Sequence, residues 1–474
     1  MQTEWTDRRN FIKAGLAAAA AGPALGNLRE RVRGSVAMPG DPHYDEGRAA
    51  WNLTVDQRPA VIVMAAAEDD IVQAVNVARE RQMGIAVQAT GHGVATPANG
   101  GMLINTATMR QVKIDATHRT ATVAAGAIWG DVLPKAQEAG LAALSGSSSG
   151  VGVVGYTSGG GSGWLGRKYG FAADHVLSAR VVTANGRVVR TSASENPDLF
   201  WAIRGGTSNF GIVSELEFRL FPDSHVYGGG IYWPIERASE VADVYREFAA
   251  SAPETVSSRL ALVHLPPLPQ IPEALRGRWL VAVQSAFTGP EHEGAALFAP
   301  FRKLGGVMED ALKMMPMGAV DAIARDPRDP VPGVVHTELL NEISPEMVRY
   351  LVEDVAQPRS QVVMIEMRQH GGAYAREPEI ANAVGIRPRG FWFNAIAAAM
   401  PPGGRAGAEE QLRAVRQGVS KWATGEILPN GIDESGAGRV RSAYREATWR
   451  RLVELKKRYD PTNLFRLNRN IAAA

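Results

Sequence analysis

The residues with most to offer a ligand lie where side chains are scarcest. Ser145 to Gly170 reads SGSSSGVGVVGYTSGGGSGWLGRKYG, a run whose assets are backbone amides. Glycine tolerates positive φ and lets a ligand approach the main chain, and successive exposed N–H groups form a concavity for anions. A phosphate-bearing cofactor suits such a run. Val151, Val153, Val154, Tyr156, Trp164 and Leu165 interleave the glycines, which a solvated linker would not carry. A second loop, Ala89-Thr90-Gly91-His92-Gly93-Val94, places an imidazole between glycines at the end of a strand pattern. A third set comes from alternation over 361–370: Val363, Ile365 and Met367 share one face, and Met364, Glu366, Arg368 and His370 share the other. That second face is either a substrate wall or a solvated sheet surface. As a wall it makes Glu366 the first candidate proton acceptor, followed by Tyr156 and His370, with Trp392 and Asn394 as wall and polar handle.

The elements that must hold these residues alternate between strand and helix signals from Trp51 onward. Strands are expected at 60–63, 85–88, 112–114 and 121–123, and helices at 69–83 and 129–139. Pro134 fits the latter helix only within its first turn. A hairpin is expected around Asn185-Gly186. Composition shifts after Phe221-Pro222, followed by a helix pattern over 237–250, strands at 278–287, 361–369 and 391–399, and a helix pattern over 440–458. Gly161-Ser162-Gly163-Trp164-Leu165-Gly166 matches GxGxxG, but no clean strand precedes it and no acid stands about 20 residues on, so it is not read as a Rossmann fingerprint.

Composition narrows the classes. Lys and Arg number 51 against 49 Asp and Glu, a formal charge of +2, which gives no case for nucleic acid or an anionic surface. The absence of cysteine excludes disulfides, thiolate metal sites and thiol nucleophiles. The nine histidines are scattered with no HExxH, so a metal-dependent hydrolase is poorly served and no metal site is expected.

Taken as an ordered set, Trp51-Asn52, Thr90-Gly91-His92-Gly93, Ala125-Gly126-Ala127, Val151-Gly152-Val153, Ser158-Gly159-Gly160-Gly161, Tyr169-Gly170, Asp174, Leu199-Phe200-Trp201-Ala202, Phe210-Gly211 and Tyr459-Asp460-Pro461-Thr462-Asn463-Leu464-Phe465-Arg466 resemble the berberine-bridge-enzyme-like FAD-linked oxidases of the vanillyl-alcohol-oxidase superfamily. The resemblance implies an α+β fold: a two-lobed PCMH-type FAD-binding domain with an inserted substrate domain of antiparallel sheet covered by helices. The implied limits are 38–225 and 432–474 for the FAD domain and 226–431 for the substrate domain. It implies FAD held at Ala89, Thr90, Gly91, His92, Gly93, Val94, Ser148, Val151, Gly152, Gly155, Thr157, Gly160, Gly161, Asp174, Ile212 and Val213, with Asn468 or Asn470 approaching the flavin ring. His92 matches the histidine that bonds the flavin 8α-methyl group. Many relatives add a second bond from a cysteine; Ser148 stands there, so attachment is at most single. Gly155-Tyr156-Thr157 replaces a second Gly-Gly-His. Leu428-Pro429-Asn430-Gly431 replaces a Tyr-x-Asn-aromatic motif, so no catalytic base carries over.

Thr6-Asp7-Arg8-Arg9-Asn10-Phe11-Ile12-Lys13 and the Ala-rich run to Ala21 resemble a twin-arginine signal, with Ser35-Val36-Ala37 as a cleavage site. The expectation is a protein handed to the twin-arginine export machinery and found in the periplasm or outside the cell, its leader occupying 1–37. The expected activity is FAD-dependent oxidation of an alcohol, sugar or amine C–H, with the reduced flavin returned by O2 to give H2O2. A dehydrogenase with another acceptor and a flavin-fold protein that binds without turnover stay open.

Overall fold

The computed structural model describes residues 27–269, 271–434 and 436–472. The arginine pair and apolar run of the expected leader lie outside these residues.

Three sheets organise the described residues. The first has strands β1 (Ser35–Ala37), β2 (Val61–Met64), β3 (Ile85–Gln88) and β4 (Met102–Asn105) in the order β1-β2-β4-β3. Val61, Ile62 and Val63 are buried on both faces, as suits a central strand, here between antiparallel β1 and parallel β4. The helix Glu68–Glu80 buries Ile71, Ala74, Val75 and Ala78 against it. Asp70, in that helix's first turn, accepts from the backbone of Ala66 (2.8 Å) and Ala67 (3.2 Å), and also of Arg33 (2.7 Å) and Gly34 (3.0 Å). β1 is thereby fastened to the lobe, and Leu28 is fully buried beside it. The leader boundary expected at residue 37 thus falls at the end of a strand of the folded lobe, which already includes residue 28.

The second sheet is antiparallel, in the order β5-β6-β9-β7-β8: β5 (Val112–Asp115), β6 (Thr120–Ala124), β7 (Val176–Val182), β8 (Val188–Ser192) and β9 (Ile212–Arg219). β7 and β8 form the hairpin around Asn185-Gly186. The helix Trp129–Glu138 buries Trp129, Val132, Leu133 and Ala136 in the core of this lobe. Pro134 stands in its second turn, not its first, so the Gly130 carbonyl lacks its helical donor there.

The third sheet runs β13-β10-β12-β11-β16-β17-β15, with β14 also on β10: β10 (His225–Pro234), β11 (Val256–Leu265), β12 (Arg278–Phe287), β13 (Glu309–Asp310), β14 (Lys313–Pro316), β15 (Gly333–Leu340), β16 (Val362–Gln369) and β17 (Phe391–Ala398). Leu260, Val281, Val283, Ile365, Met367, Phe393 and Ala395 meet helices Ala238–Ser251, Pro345–Tyr350 and Gly404–Val419 on one face. The other face turns toward the first two sheets. The alternation read over 361–370 is therefore real, and its polar face is buried, not solvated.

The chain then returns. The helix pattern expected over 440–458 is two pieces, Ala437–Arg441 and Glu446–Tyr459. Lys456, fully buried, donates to Asp460 (2.7 Å) and to the carbonyls of Asn209 (2.9 Å) and Phe465 (3.1 Å). The last residues lie against the first lobe, where Ile85 donates to the Leu464 carbonyl at 2.8 Å.

Candidate functional site

A cleft of about 360 Å³ runs between the two lobes. Its floor is the loop after β3. Gly91 holds φ +79°, and a Cβ there would lie 2.7 Å from the Ala50 Cα, so this turn admits glycine only. Among the described residues, no backbone N–H from Thr90 to Thr96 donates to another protein group. These amides face the cleft with capacity to spare, as a diphosphate requires.

His92 sits in the middle. Its Nδ1 is 2.8 Å from Thr90 Oγ1, and the Trp51 indole stacks on its ring at 4.2 Å and 15°. Its Nε2 is buried and has no partner among the described residues. Burial brings the imidazole pKa down to about 4, so the ring is neutral at physiological pH. Trp51 in turn donates to the Arg328 carbonyl at 3.0 Å, coupling this wall to the substrate domain.

Of the cofactor residues expected from sequence, Ala89, Thr90, Gly91, His92, Gly93, Val94, Val151, Gly152, Gly155, Ile212, Val213 and Asn468 line the cleft. Ser148, Thr157, Gly160, Gly161, Asp174 and Asn470 do not. Ser148 Oγ accepts from the Gly150 amide at 3.3 Å. Gly161 has φ +79°, and its missing side chain makes room for the Tyr156 ring, 2.6 Å from where a Cβ would be. Asp174 is a buried joint, taking both guanidinium nitrogens of Arg387 at 2.9 and 3.0 Å and the Asn382 amide at 2.7 Å. Asn468 spends its side-chain amide on the carbonyls of Ser208 and Phe465.

Arg469, which sequence reasoning missed, lines the cleft in the place expected of the asparagines. Its Nε donates to the Ile432 carbonyl at 3.0 Å, and its terminal nitrogens lie beside Gly93. Among the described residues that line the cleft, it is the one that is formally charged. Burial lowers its pKa. A half-buried cation facing a ring of free amides fits a dianionic diphosphate cofactor.

On the buried polar face of the third sheet, Glu366 pairs with Arg259 and lies 3.5 Å from Arg368, while Asn394 donates to its other oxygen at 3.3 Å. Burial would raise this carboxyl, but the two guanidiniums outweigh it and bring the pKa to about 2. Glu366 is thus a counter-ion, not the proton acceptor expected. The Arg368 guanidinium lies 5.5 Å from the Trp164 ring and 5.9 Å from the Trp392 ring. His370 is fully buried, its Nε2 3.1 Å from Ser162 Oγ, which donates to the Tyr374 hydroxyl at 3.0 Å. Burial, then Arg368 and Arg167, lower its pKa to about 3, so it too is a poor base. The Tyr156 ring is edge-on to Trp129 at 5.5 Å and close to Gly146, Gly161 and Gly163. Burial raises its pKa well above the ordinary phenol value. None of the three candidates is a free base near neutral pH.

Asn430 does hold a working position. It lines the cleft, and its Oδ1 accepts from the Gly161 amide at 2.7 Å. Beside it, Asp433 binds Arg439 (2.7 and 3.0 Å), His336 (3.2 Å) and the Thr337 amide (3.0 Å), clamping the returning segment to β15.

Residues 59–192 match the FAD binding domain family, and residues 430–472 match the family described as berberine and berberine like. The chain is an FAD-linked oxidoreductase that resembles the berberine-bridge-enzyme-like family. FAD is therefore the diphosphate cofactor for which the cleft is built. This FAD-linked oxidoreductase is 28% identical over 456 residues to (R)-6-hydroxynicotine oxidase of Paenarthrobacter nicotinovorans, covering 93% of this chain and 97% of the relative. It is 26% identical over 454 residues to an FAD-linked oxidoreductase of Dictyostelium discoideum, covering 93% and 95%. The crystal structure of 6-hydroxy-D-nicotine oxidase from Arthrobacter nicotinovorans superposes with a TM-score of 0.81 at 25% identity, covering 94% of this chain and 98% of that one. The α+β architecture of a PCMH-type flavoprotein with an inserted sheet domain is thus the fold of this oxidoreductase.

Proposed function

We propose that this FAD-linked oxidoreductase is an oxidase of a small alcohol, sugar or amine, that its FAD is bonded through His92 alone, and that it is exported by the twin-arginine route to the periplasm or beyond. The observation that carries the reading is the His92 imidazole: neutral, set in the cofactor cleft, with a buried nitrogen that has no partner among the described residues. Bound FAD supplies a two-electron acceptor at N5 that takes hydride from a substrate C–H and is reoxidised by dioxygen to give hydrogen peroxide. The amides of Thr90–Thr96 and the Arg469 guanidinium would hold the diphosphate, and His92 the dimethylbenzene edge. With Glu366 engaged by two arginines and His370 kept neutral, the substrate O–H or N–H proton leaves to water. The name of the Paenarthrobacter relative points to a cyclic amine as one substrate class to try first.

The test is a visible spectrum after acid precipitation, with yellow colour expected in the pellet of the wild-type protein and in the supernatant of His92→Ala. Colourless protein that takes up no FAD would end the account. A substrate panel scored by anaerobic bleaching, followed by air, separates the two redox classes. An oxidase regains its yellow colour at once, and a dehydrogenase stays reduced.

A further inference from the structure

Resting on FAD as the cofactor of the cleft, and not on its bond to His92, we infer that His336 and Asp433 are positioning residues for FAD: through the backbone of residues 430–433 they hold Asn430 and Arg469 in the cleft wall, and the charge on His336 sets how firmly. Neither His336 nor Asp433 is in that wall. The link is the short stretch between, each residue of which makes a tie. Asn430 lines the cleft, and its Oδ1 accepts from the Gly161 amide at 2.7 Å. The Gly431 carbonyl accepts from the Thr337 hydroxyl. The Ile432 carbonyl accepts from Arg469 Nε at 3.0 Å and so aims the guanidinium that faces the free amides. Asp433 ends the stretch, accepting from the Thr337 amide at 3.0 Å and from Arg439 at 2.7 and 3.0 Å.

His336, in β15, stands between two carboxylates. Its Nδ1 is 3.2 Å from Asp433 Oδ2, and its Nε2 is 3.3 Å from Glu338 Oε1, the second a charge contact without hydrogen-bond alignment. Carboxylates only accept, so neither neutral form of the ring suits both neighbours. The imidazolium, with a proton on each nitrogen, does. Arg439 completes the cluster, its Nη1 3.4 Å from Glu338 Oε1. All four side chains are 8% exposed or less. Two cations balance two anions while His336 is protonated; without that proton one negative charge is left over in a buried place, where it is costly. Of the neighbouring elements, β17 sets uncharged Ala395 opposite His336, and the helix Gly404–Val419 buries Ala408, Leu412, Val415 and Val419 against the sheet. Glu434 acts on the cluster through Arg439, and Arg469 through Asp433.

Burial opposes the imidazolium, but Asp433 and Glu338 outweigh it and raise its pKa. The tie is therefore whole below the usual histidine value near 6.5 and loosens as the pH rises through the raised one. Asp433 then keeps only Arg439 and the Thr337 amide, and Glu338 faces a nitrogen lone pair. The surplus negative charge pushes the two carboxylates apart, and the turn that carries the Ile432 carbonyl loses its fixed aim on Arg469. A buried hydrogen bond to a charged group is worth a factor of about ten or more in an equilibrium. Part of that reaches the diphosphate, so the affinity for FAD is expected to fall about fivefold.

The experiment titrates the full chain, as His92→Ala so that FAD exchanges freely, with FAD from about pH 6 to about pH 9.5 by flavin fluorescence. The dissociation constant is expected to rise about fivefold across that range, and to stay level when His336→Gln is added. Near the midpoint FAD binding is expected to take up part of a proton, read by calorimetry in two buffers of different ionisation enthalpy, because a ligand raises the pKa of a group whose proton favours it. That measurement needs no second variant and decides the matter if His336→Gln fails to fold: no proton uptake overturns the inference. A histidine that serves stability alone would let the melting temperature fall with pH while the dissociation constant of the folded protein stays level, and that result overturns it too. So does an equal rise with and without His336→Gln. FAD released by acid from the wild type ends the covalent reading only; the same titrations on the wild type then test His336 and Asp433 separately.

Discussion

Replacing Glu366 by glutamine keeps the side chain's shape and removes its charge, and the outcome separates a counter-ion from a catalytic base. In the folded protein the carboxylate faces Arg259, 1% exposed, and Arg368, 8% exposed. The neutral amide would leave both guanidiniums buried without an anion, apart from Asp326 at 3.7 Å from Arg259. Breaking one partner of a buried pair costs about 3–5 kcal/mol. The same quantity can be approached from titration: moving the carboxyl from 4.5 to about 2 corresponds to roughly 3 kcal/mol. Because the folded pKa is depressed, that contribution is complete above the unfolded carboxyl value near 4.5 and fades as the pH falls toward 2. Urea unfolding of wild type and Glu366→Gln at neutral pH, followed by tryptophan fluorescence, reads the difference. A loss of about 3 kcal/mol with the pH dependence of flavin reduction unchanged is expected. A variant within about 1 kcal/mol of wild type that loses one limb of its pH–rate profile would refute the argument and restore Glu366 as the base.

Three further outcomes are expected. In a His92→Ala background, where FAD is held without a bond, Arg469→Met should raise the FAD dissociation constant about tenfold or more, and Arg469→Lys less, as measured by flavin fluorescence titration. His336 is buried, which opposes its protonation, but the Asp433 and Glu338 carboxylates outweigh burial and raise its pKa; its stabilising contribution is full below the usual histidine value near 6.5 and is lost as the pH rises through the raised one. Thermal melts should therefore show a decline across that range that His336→Gln lacks. A chain beginning at Met38 loses β1, Leu28 and two of the four donors to Asp70, and should unfold about 2 kcal/mol or more below one beginning at Asn27 in urea titration.

What could be read from the sequence was local. The strands Ile85–Gln88 and Arg278–Phe287 have the limits their apolar patterns give, and the loop with His92 announces itself by glycines after a strand. The helix expected over 440–458 fails because Arg439 turns inward to Asp433 and the helix stops at Arg441, which no periodicity encodes. The second half of the glycine-rich run looks like the first, yet it packs Tyr156, Ala172 and Asn430 instead of facing the cleft. Asp174 reads as a cofactor ligand until Arg387, 213 residues away, is seen to claim both its oxygens. Arg469 was hidden for the same reason: its value comes from where the chain's last turn brings it, not from its neighbours.

The placement of Leu467, Asn468 and Arg469 in the cleft wall has a consequence for assembly. Thr96, 372 residues earlier in the chain, donates its hydroxyl to the Asn468 carbonyl at 2.6 Å. The nucleotide pocket is thus complete only once two distant stretches of the chain have met, and whatever unseats the returning segment opens the pocket without touching the glycine loops.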